Sequence, residues 1–324
     1  MSDTSSVVTP DRYNAETDLP VSQADHVPLC TLNDLLWLLY LYPFRLVSVL
    51  VPRALLNWIG KPAELLAQFR WRRRREKAAR WIASACNCTT DQAARTARKS
   101  ISNDLSRQLD DLVLLRPLHR QKLHCTGIAG IEHLDQAVAA GNGVILLTAH
   151  FCVTRIAVRY LSTAGYPVLV VQKQTPRKPS EGRMGCMLRH HYIQLRWLGH
   201  ADVVDIEDGD CSLKILQRLR SGGLVHMHFD ALSTKTAVEG RFLGVPWRFP
   251  VGVFDLARLS GCAVVPMLCL GRSTGLHIRF SPTLRVVRAD SREEFVNANL
   301  SGFTEVFERQ ITEHPEEWRL WPWR

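Results

Sequence analysis

From residue 126 onward, short apolar runs alternate with helix-patterned stretches, and this alternation narrows the possible architectures more than any other feature. The runs are Val144–Ala149, Val168–Gln172, Val203–Ile206, Leu224–Phe229, Ala263–Leu270 and Leu276–Phe280. Between them lie stretches of helical pattern at 131–139, 152–163, 183–198, 211–220 and 251–260. Apolar strands without polar alternation are buried on both faces, and helices between them supply the cover. An α/β fold is therefore predicted, with a mostly parallel mixed sheet flanked by helices. Upstream, residues 76–115 read as helix, with Thr89-Thr90-Asp91-Gln92 fitting a capping box and Leu105, Leu109, Leu112 and Leu115 at helical spacing.

Charge adds a second constraint. The 324 residues carry a formal net charge of +10, which calls for an anionic partner. The excess is concentrated at Arg70-Trp71-Arg72-Arg73-Arg74-Arg75-Glu76-Lys77, directly after an apolar segment. Within residues 30–75 the longest uncharged run, Leu35 to Phe44, is ten residues. A membrane-spanning helix needs about 20, so a single clean crossing is not expected. Short amphipathic helices with Trp37, Tyr40, Tyr42 and Trp58 suit the bilayer interface, and the basic block suits anionic phospholipid. A helical hairpin packed on the main domain is the alternative. Nucleic acid is not expected as a partner, because no zinc knuckle, reading helix or RNA-binding strand accompanies the charge. Residues 1–29 are expected to form a disordered polar tail without a signal peptide, and 76–324 the α/β domain. Nine cysteines without a C-x-x-C pair read as reduced thiols of a cytosol-facing protein.

The most pointed chemical signal is His150. It follows the strand Gly143-Val-Ile-Leu-Leu-Thr-Ala and opens a helix. Open α/β sheets bind ligands beyond the carboxyl ends of their strands, and a histidine there can act as a general base at neutral pH. Alone, such a histidine is more often structural.

Four further blocks accompany it in order: Leu219–Asp230 (LRSGGLVHMHFD); Arg241-Phe242-Leu243-Gly244-Val245-Pro246; Gly252 with Ala257-Arg258-Leu259 and Gly261-Cys-Ala-Val-Val-Pro266; and His314-Pro315-Glu316-Glu317-Trp318 with Trp321. With the glycine-strand-His-Phe block at 143–151, these resemble the late lipid A (lauroyl/myristoyl) acyltransferases of the lysophospholipid acyltransferase superfamily, over about residues 40–324. The resemblance implies a glycerolphosphate acyltransferase-like fold on the cytoplasmic face of a bacterial inner membrane, peripheral or monotopic. It implies transfer of an acyl group from acyl carrier protein or acyl-coenzyme A to a hydroxyl or amine of a lipid or amphiphilic acceptor. No cofactor is implied beyond the thioester co-substrate. In such enzymes the histidine deprotonates the acceptor and a neighbouring acid orients the imidazole.

The family motif is His, four residues, then Asp or Glu. Here His150 takes the base position and Arg155 stands where the acid belongs. A guanidinium cannot accept the imidazole N–H and disfavours the imidazolium. Three readings stay open: Asp230 replaces the acid, Arg155 binds an anionic substrate group, or the site is inactive and the chain binds lipid or acylated carrier within an assembly.

Other candidates come with competing readings. Lys173 and Arg183 could read an anionic substrate or lie in solvated positions. Arg241 could contact phosphate or simply be exposed. Phe242 and Gly244 belong to the same block, and Phe242, Trp247 and Phe249 could line an acyl groove or the core. His226, His228 and Asp230 share a strand face, a pattern that can bind metal but lacks a further ligand, so no metal is expected. The acidic run Asp202–Asp210 fits no calcium loop and reads as a solvated turn.

Overall fold

The computed structural model describes residues 28–39, 42, 53–114, 125–151, 153–173, 182–188, 191, 201–232, 236–272 and 275–321. The polar tail through residue 27, the segment 43–52 with Tyr40, the loop 174–181 and most of the stretch 189–198 lie outside them.

The helices are α1 (Leu32–Leu39), α2 (Arg53–Arg70), α3 (Arg72–Ala85), α4 (Thr90–Leu114), α5 (Ile131–Ala139), α6 (Thr154–Thr163), α7 (Cys211–Arg220), α8 (Gly252–Ser260) and α9 (Arg292–Glu313). The strands are β1 (Cys125–Ala129), β2 (Val144–Thr148), β3 (Val168–Gln172), β4 (Asp202–Asp205), β5 (Leu224–His228), β6 (Ala237–Phe242), β7 (Val245–Pro250), β8 (Ala263–Arg272) and β9 (Gly275–Phe280). Seven strands form one sheet in the order β1-β9-β8-β2-β5-β3-β4, while β6 and β7 form a separate hairpin. Strands β8, β2, β5, β3 and β4 are mutually parallel; β9 runs antiparallel to β8, and β1 follows β9.

Alternate residues of the central strands feed two cores. Ile145, Leu147 and Val225 face one apolar cluster built with α3, α4, α7, α8 and α9. Val144, Leu146 and Leu224 face another, covered by α5 and α6. This three-layer arrangement is why β2 carries no polar residue except Thr148, all five positions being buried. Gly143 immediately precedes β2 with φ 77°, and Leu219 O lies 2.2 Å from where a Cβ would stand, so the close approach of α7 here requires glycine.

The predicted strands and helices agree with the observed elements within the described residues, and the capping box at Thr89 forms reciprocally: Gln92 N donates to Thr89 Oγ1 and Thr89 N to Gln92 Oε1. Three elements carried no sequence expectation: β1, the β6–β7 hairpin and α9. The hairpin turns through Leu243 at φ 50° and Gly244 at φ 79°, a two-residue turn with both centres left-handed. Helix α9 starts in a capping box at Ser291 and Glu294.

Helix α2 packs on α4 along one side, where Gln68 donates to the Arg98 carbonyl and Ser102 donates to Glu64. Its other side leaves Leu55, Trp58, Leu65, Leu66 and Phe69 exposed. At about 100° per residue these five fall within an arc of about 100°. Among the described residues no helix is long and apolar enough to cross a membrane.

Candidate active site

Strands β2 and β5 are parallel neighbours in a register that pairs Thr148 with His228. The ladder continues one step further, with Phe229 N donating to Thr148 O at 2.8 Å. One residue beyond, His150 and Asp230 come opposite each other. His150 Nδ1 lies 2.7 Å from Asp230 Oδ1, and the His150 backbone N–H donates to the same carboxylate at 2.9 Å to Oδ2 and 3.1 Å to Oδ1. The carboxylate, fully buried, also accepts the Trp318 indole N–H at 2.6 Å. Burial pushes the Asp230 carboxyl upward, but the charge and hydrogen bonds of His150 and the bond from Trp318 outweigh it and hold its pKa below the ordinary carboxylate value.

The backbone around His150 is held from the C-terminal segment as well. Phe151 and Trp318 form an antiparallel bridge, and Arg319 N donates to His150 O at 3.1 Å. That segment is fastened to α4: Ser100 Oγ donates to Trp318 O, Asn103 Nδ2 to Glu316 O, and Lys99 pairs with Glu316 at 2.6 Å. Trp318 also stacks edge-on with Trp81 and Trp321.

Two further histidines extend the site. The His228 ring stacks on that of His150, centroids 4.1 Å apart and planes 25° apart. His226 meets His228 edge-on at 4.9 Å and 84°. His226 is buried, and neither of its ring nitrogens has a hydrogen-bond partner. Burial, and then the charge His150 can carry, pushes the His226 pKa down to about 3. The same causes, with His226, Arg319 and Arg155 adding to them, hold His228 well below its ordinary value. Both rings are therefore neutral at pH 7. Among the described residues no group of three His, Cys, Asp or Glu is arranged to hold a metal ion.

The site opens on a cavity of about 940 Å³ lined by His150, His226 and His228 and by an apolar wall that includes Val170, Ile206, Leu213, Leu216, Leu256 and Leu259. Among the described residues its cationic lining is Arg107, Arg155, Lys173 and Arg319. Arg107 is buried and donates twice to Asp104, which also faces Arg319 at 3.6 Å. Lys173 lies 3.6 Å from Glu207. The size is that of a small-molecule site, and the lining combines an apolar surface with cationic side chains.

Of the candidate residues, His150, Asp230, Arg155 and Lys173 converge here. The others lie elsewhere. Arg183 sits on the helical turn at 183–188, where its backbone N–H donates to Pro28 O at 3.0 Å, and it does not line the cavity. Arg241 donates to the Gly244 carbonyl across the hairpin turn, so its charge is spent locally. Gly244 serves that turn, and Phe242 is buried among Phe229, Trp247, Phe249 and Trp318. Phe242, Trp247 and Phe249 are thus core, because they pack with Phe229, Trp81 and Trp318 and do not line the cavity. Sequence reasoning assigned no individual role to Trp318, His228 or Arg319. For Trp318 the Pro-Glu-x-Trp ending was a usable signal; for the other two only the packed structure reveals the role.

A family profile described as bacterial lipid A biosynthesis acyltransferase matches residues 36–322. Phosphatidylinositol mannoside acyltransferases of two Mycobacterium tuberculosis strains are 28% identical over 196 residues. That stretch covers 60% of this chain and 58% of each relative, so the similarity spans little more than half the relatives' length.

Proposed function

The chain belongs to the bacterial lipid A biosynthesis acyltransferase family, and from that premise we propose that it transfers an acyl group from a carrier or coenzyme A thioester to a hydroxyl or amine of an amphiphilic acceptor. The observation that carries the proposal is the His150–Asp230 pair at 2.7 Å, set at the wall of an apolar cavity. Asp230 fixes the proton on Nδ1, which leaves Nε2 as the base toward the acceptor. His150 removes the acceptor proton as the oxygen or nitrogen attacks the thioester carbonyl. The resulting imidazolium, stabilised by Asp230, returns the proton to the departing thiolate. Asp230 thus fills the role of the acid missing at Arg155, from just beyond the end of β5.

Arg155 and Lys173 then serve the substrate. A guanidinium and an ammonium in the lining of an apolar cavity suit a ligand with an acyl chain and an anionic head, such as a phosphorylated lipid or the phosphate of a pantetheine arm. The mycobacterial relatives are named phosphatidylinositol mannoside acyltransferases, and a phosphatidyl group combines acyl chains with an anionic phosphate. The exposed stripe on α2 and the basic residues from Arg70 through Lys77 support work at an anionic membrane surface, which we read as the inner face of a bacterial membrane.

The test is thiol release by the purified chain from acyl-carrier and acyl-coenzyme A donors, in vesicles supplying lysophospholipid and glycolipid acceptors. Release that depends on the acceptor and is lost in His150→Ala supports the proposal. No release with any donor and acceptor pair favours the alternative of a lipid- or carrier-binding protein without turnover.

A further inference from the structure

His228 has no part in the proton transfer just described, yet it is the side chain stacked on the base. We propose that His228 donates its ring N–H to the thioester carbonyl oxygen, stabilising the oxyanion that forms when the acceptor attacks. The inference rests on the acyl-transfer reading.

Four observations support it. The two rings lie 4.1 Å apart and nearly parallel, and both line the cavity. Groups presented from their edges are therefore separated by little more than a near-attack contact of about 3–3.5 Å between an attacking oxygen and a carbonyl. A neutral imidazole carries one N–H that needs an acceptor, and the described residues provide none for His228. The carboxylate nearest the base is already occupied, since Asp230 accepts from the His150 ring, the His150 backbone and Trp318. Finally, Arg155 and Arg319 line the same cavity. A second cation next to the imidazolium would be repelled, whereas a neutral N–H donor stabilises the developing charge without that penalty.

The step balances without a further reactant. The acceptor oxygen bonds to the carbonyl carbon while its proton passes to His150 Nε2. The carbonyl π pair moves to oxygen, which accepts from His228. Collapse restores the C=O, breaks the C–S bond, and the thiolate leaves with the proton from His150. His226, edge-on behind His228, keeps that ring against the base.

The experiment compares His228→Phe, which can still stack, with His228→Gln, which retains a donor, in the full-length chain with acyl-coenzyme A in acceptor-bearing vesicles. His228→Phe is expected to lower kcat by about 10²–10³-fold, the usual cost of one oxyanion donor, with the KM for thioester within about two-fold. His228→Gln is expected to recover at least about ten-fold of that loss, with the wild-type pH–rate profile retained in both. His228→Leu gives the same donor-free comparison should the Phe variant not fold. A donor-free variant with wild-type kcat overturns the inference, as does a Gln variant as slow as Phe or a pH profile displaced by a unit or more. Absence of turnover in the wild-type protein would instead overturn the acyl-transfer reading itself, and this inference with it.

Discussion

Asp230 holds His150 at two points, the ring Nδ1 at 2.7 Å and the backbone N–H at 2.9 Å. The double attachment sets the tautomer and also the position of the Cα that carries the ring. Replacing the carboxylate by an amide of equal size leaves the backbone bond but presents an ambiguous partner to Nδ1. Asp230→Asn is expected to lower kcat by about 10³–10⁴-fold with KM little changed, as for a triad aspartate. Steady-state thiol release measures it, and a wild-type rate would remove Asp230 from the chemistry.

Trp318→Phe keeps an aromatic ring in the Trp81–Trp321 cluster but withdraws the indole N–H from Asp230 Oδ2. A buried acceptor that loses one partner costs about 1–3 kcal/mol. Urea unfolding at pH 7 should show a loss in that range, with the Asp230 pKa moving up toward its ordinary value. Unchanged stability would mean that water or another donor replaces the indole.

Buried His226 and half-buried His228 give a signed pH dependence. His226 has a folded pKa near 3 against an ordinary 6.5, so in that window the unfolded chain binds more protons than the folded one. Stability is then present above about pH 6.5 and is lost as the pH falls toward 3, by up to about 1.4 kcal/mol per pH unit for this residue. His228 acts in the same direction. Asp230, with a lowered folded pKa, adds a loss at the acid end of the range. His226→Leu is expected to flatten the slope between pH 6.5 and 5, measured by chemical denaturation at each pH. An unaltered slope would show that His226 is not buried neutral.

Arg155→Gln tests the cation that replaced the family acid. If Arg155 reads an anionic head, KM for that substrate should rise by about ten-fold with a smaller change in kcat, and its salt dependence should weaken. A fall in kcat alone would assign Arg155 to the transition state instead.

The α2 stripe predicts how the chain meets a bilayer. Trp58→Asp with Phe69→Asp, two positions 73% and 77% exposed, should not perturb the fold yet should abolish flotation with anionic vesicles. Retained flotation would leave the stripe without a membrane role.

What could be read from the chain follows from period and chemistry. Helices at 131–139 and 211–220 coincide with the observed α5 and α7, since amphipathic spacing is a local property. The hairpin was illegible because its turn places Leu243, a non-glycine residue, at positive φ, and its strands hold Pro246, Pro250 and Gly240. Helix α9 is marked in the chain by the Ser291–Glu294 capping box followed by Phe295, Asn299, Phe303, Phe307 and Ile311 at helical spacing, all buried. Arg241, Phe242 and Gly244 matched a family block, but a block fixes order along the chain and says nothing of which face is turned to the cavity.

The sequence by itself determined that His150 and Asp230 each lie just beyond the end of a buried strand, because apolar run length and strand polarity are local. Only the tertiary structure decided that those two strands are neighbours, although β3 and β4 lie between them in the chain. Parallel register then carries both ladders the same two residues past their ends, and the base meets its acid across a separation of 80 residues. Trp318, 88 residues further on, reaches the same carboxylate only because α4 and the C-terminal turn pack together. Side-chain convergence over such distances is a product of packing, which no local pattern encodes.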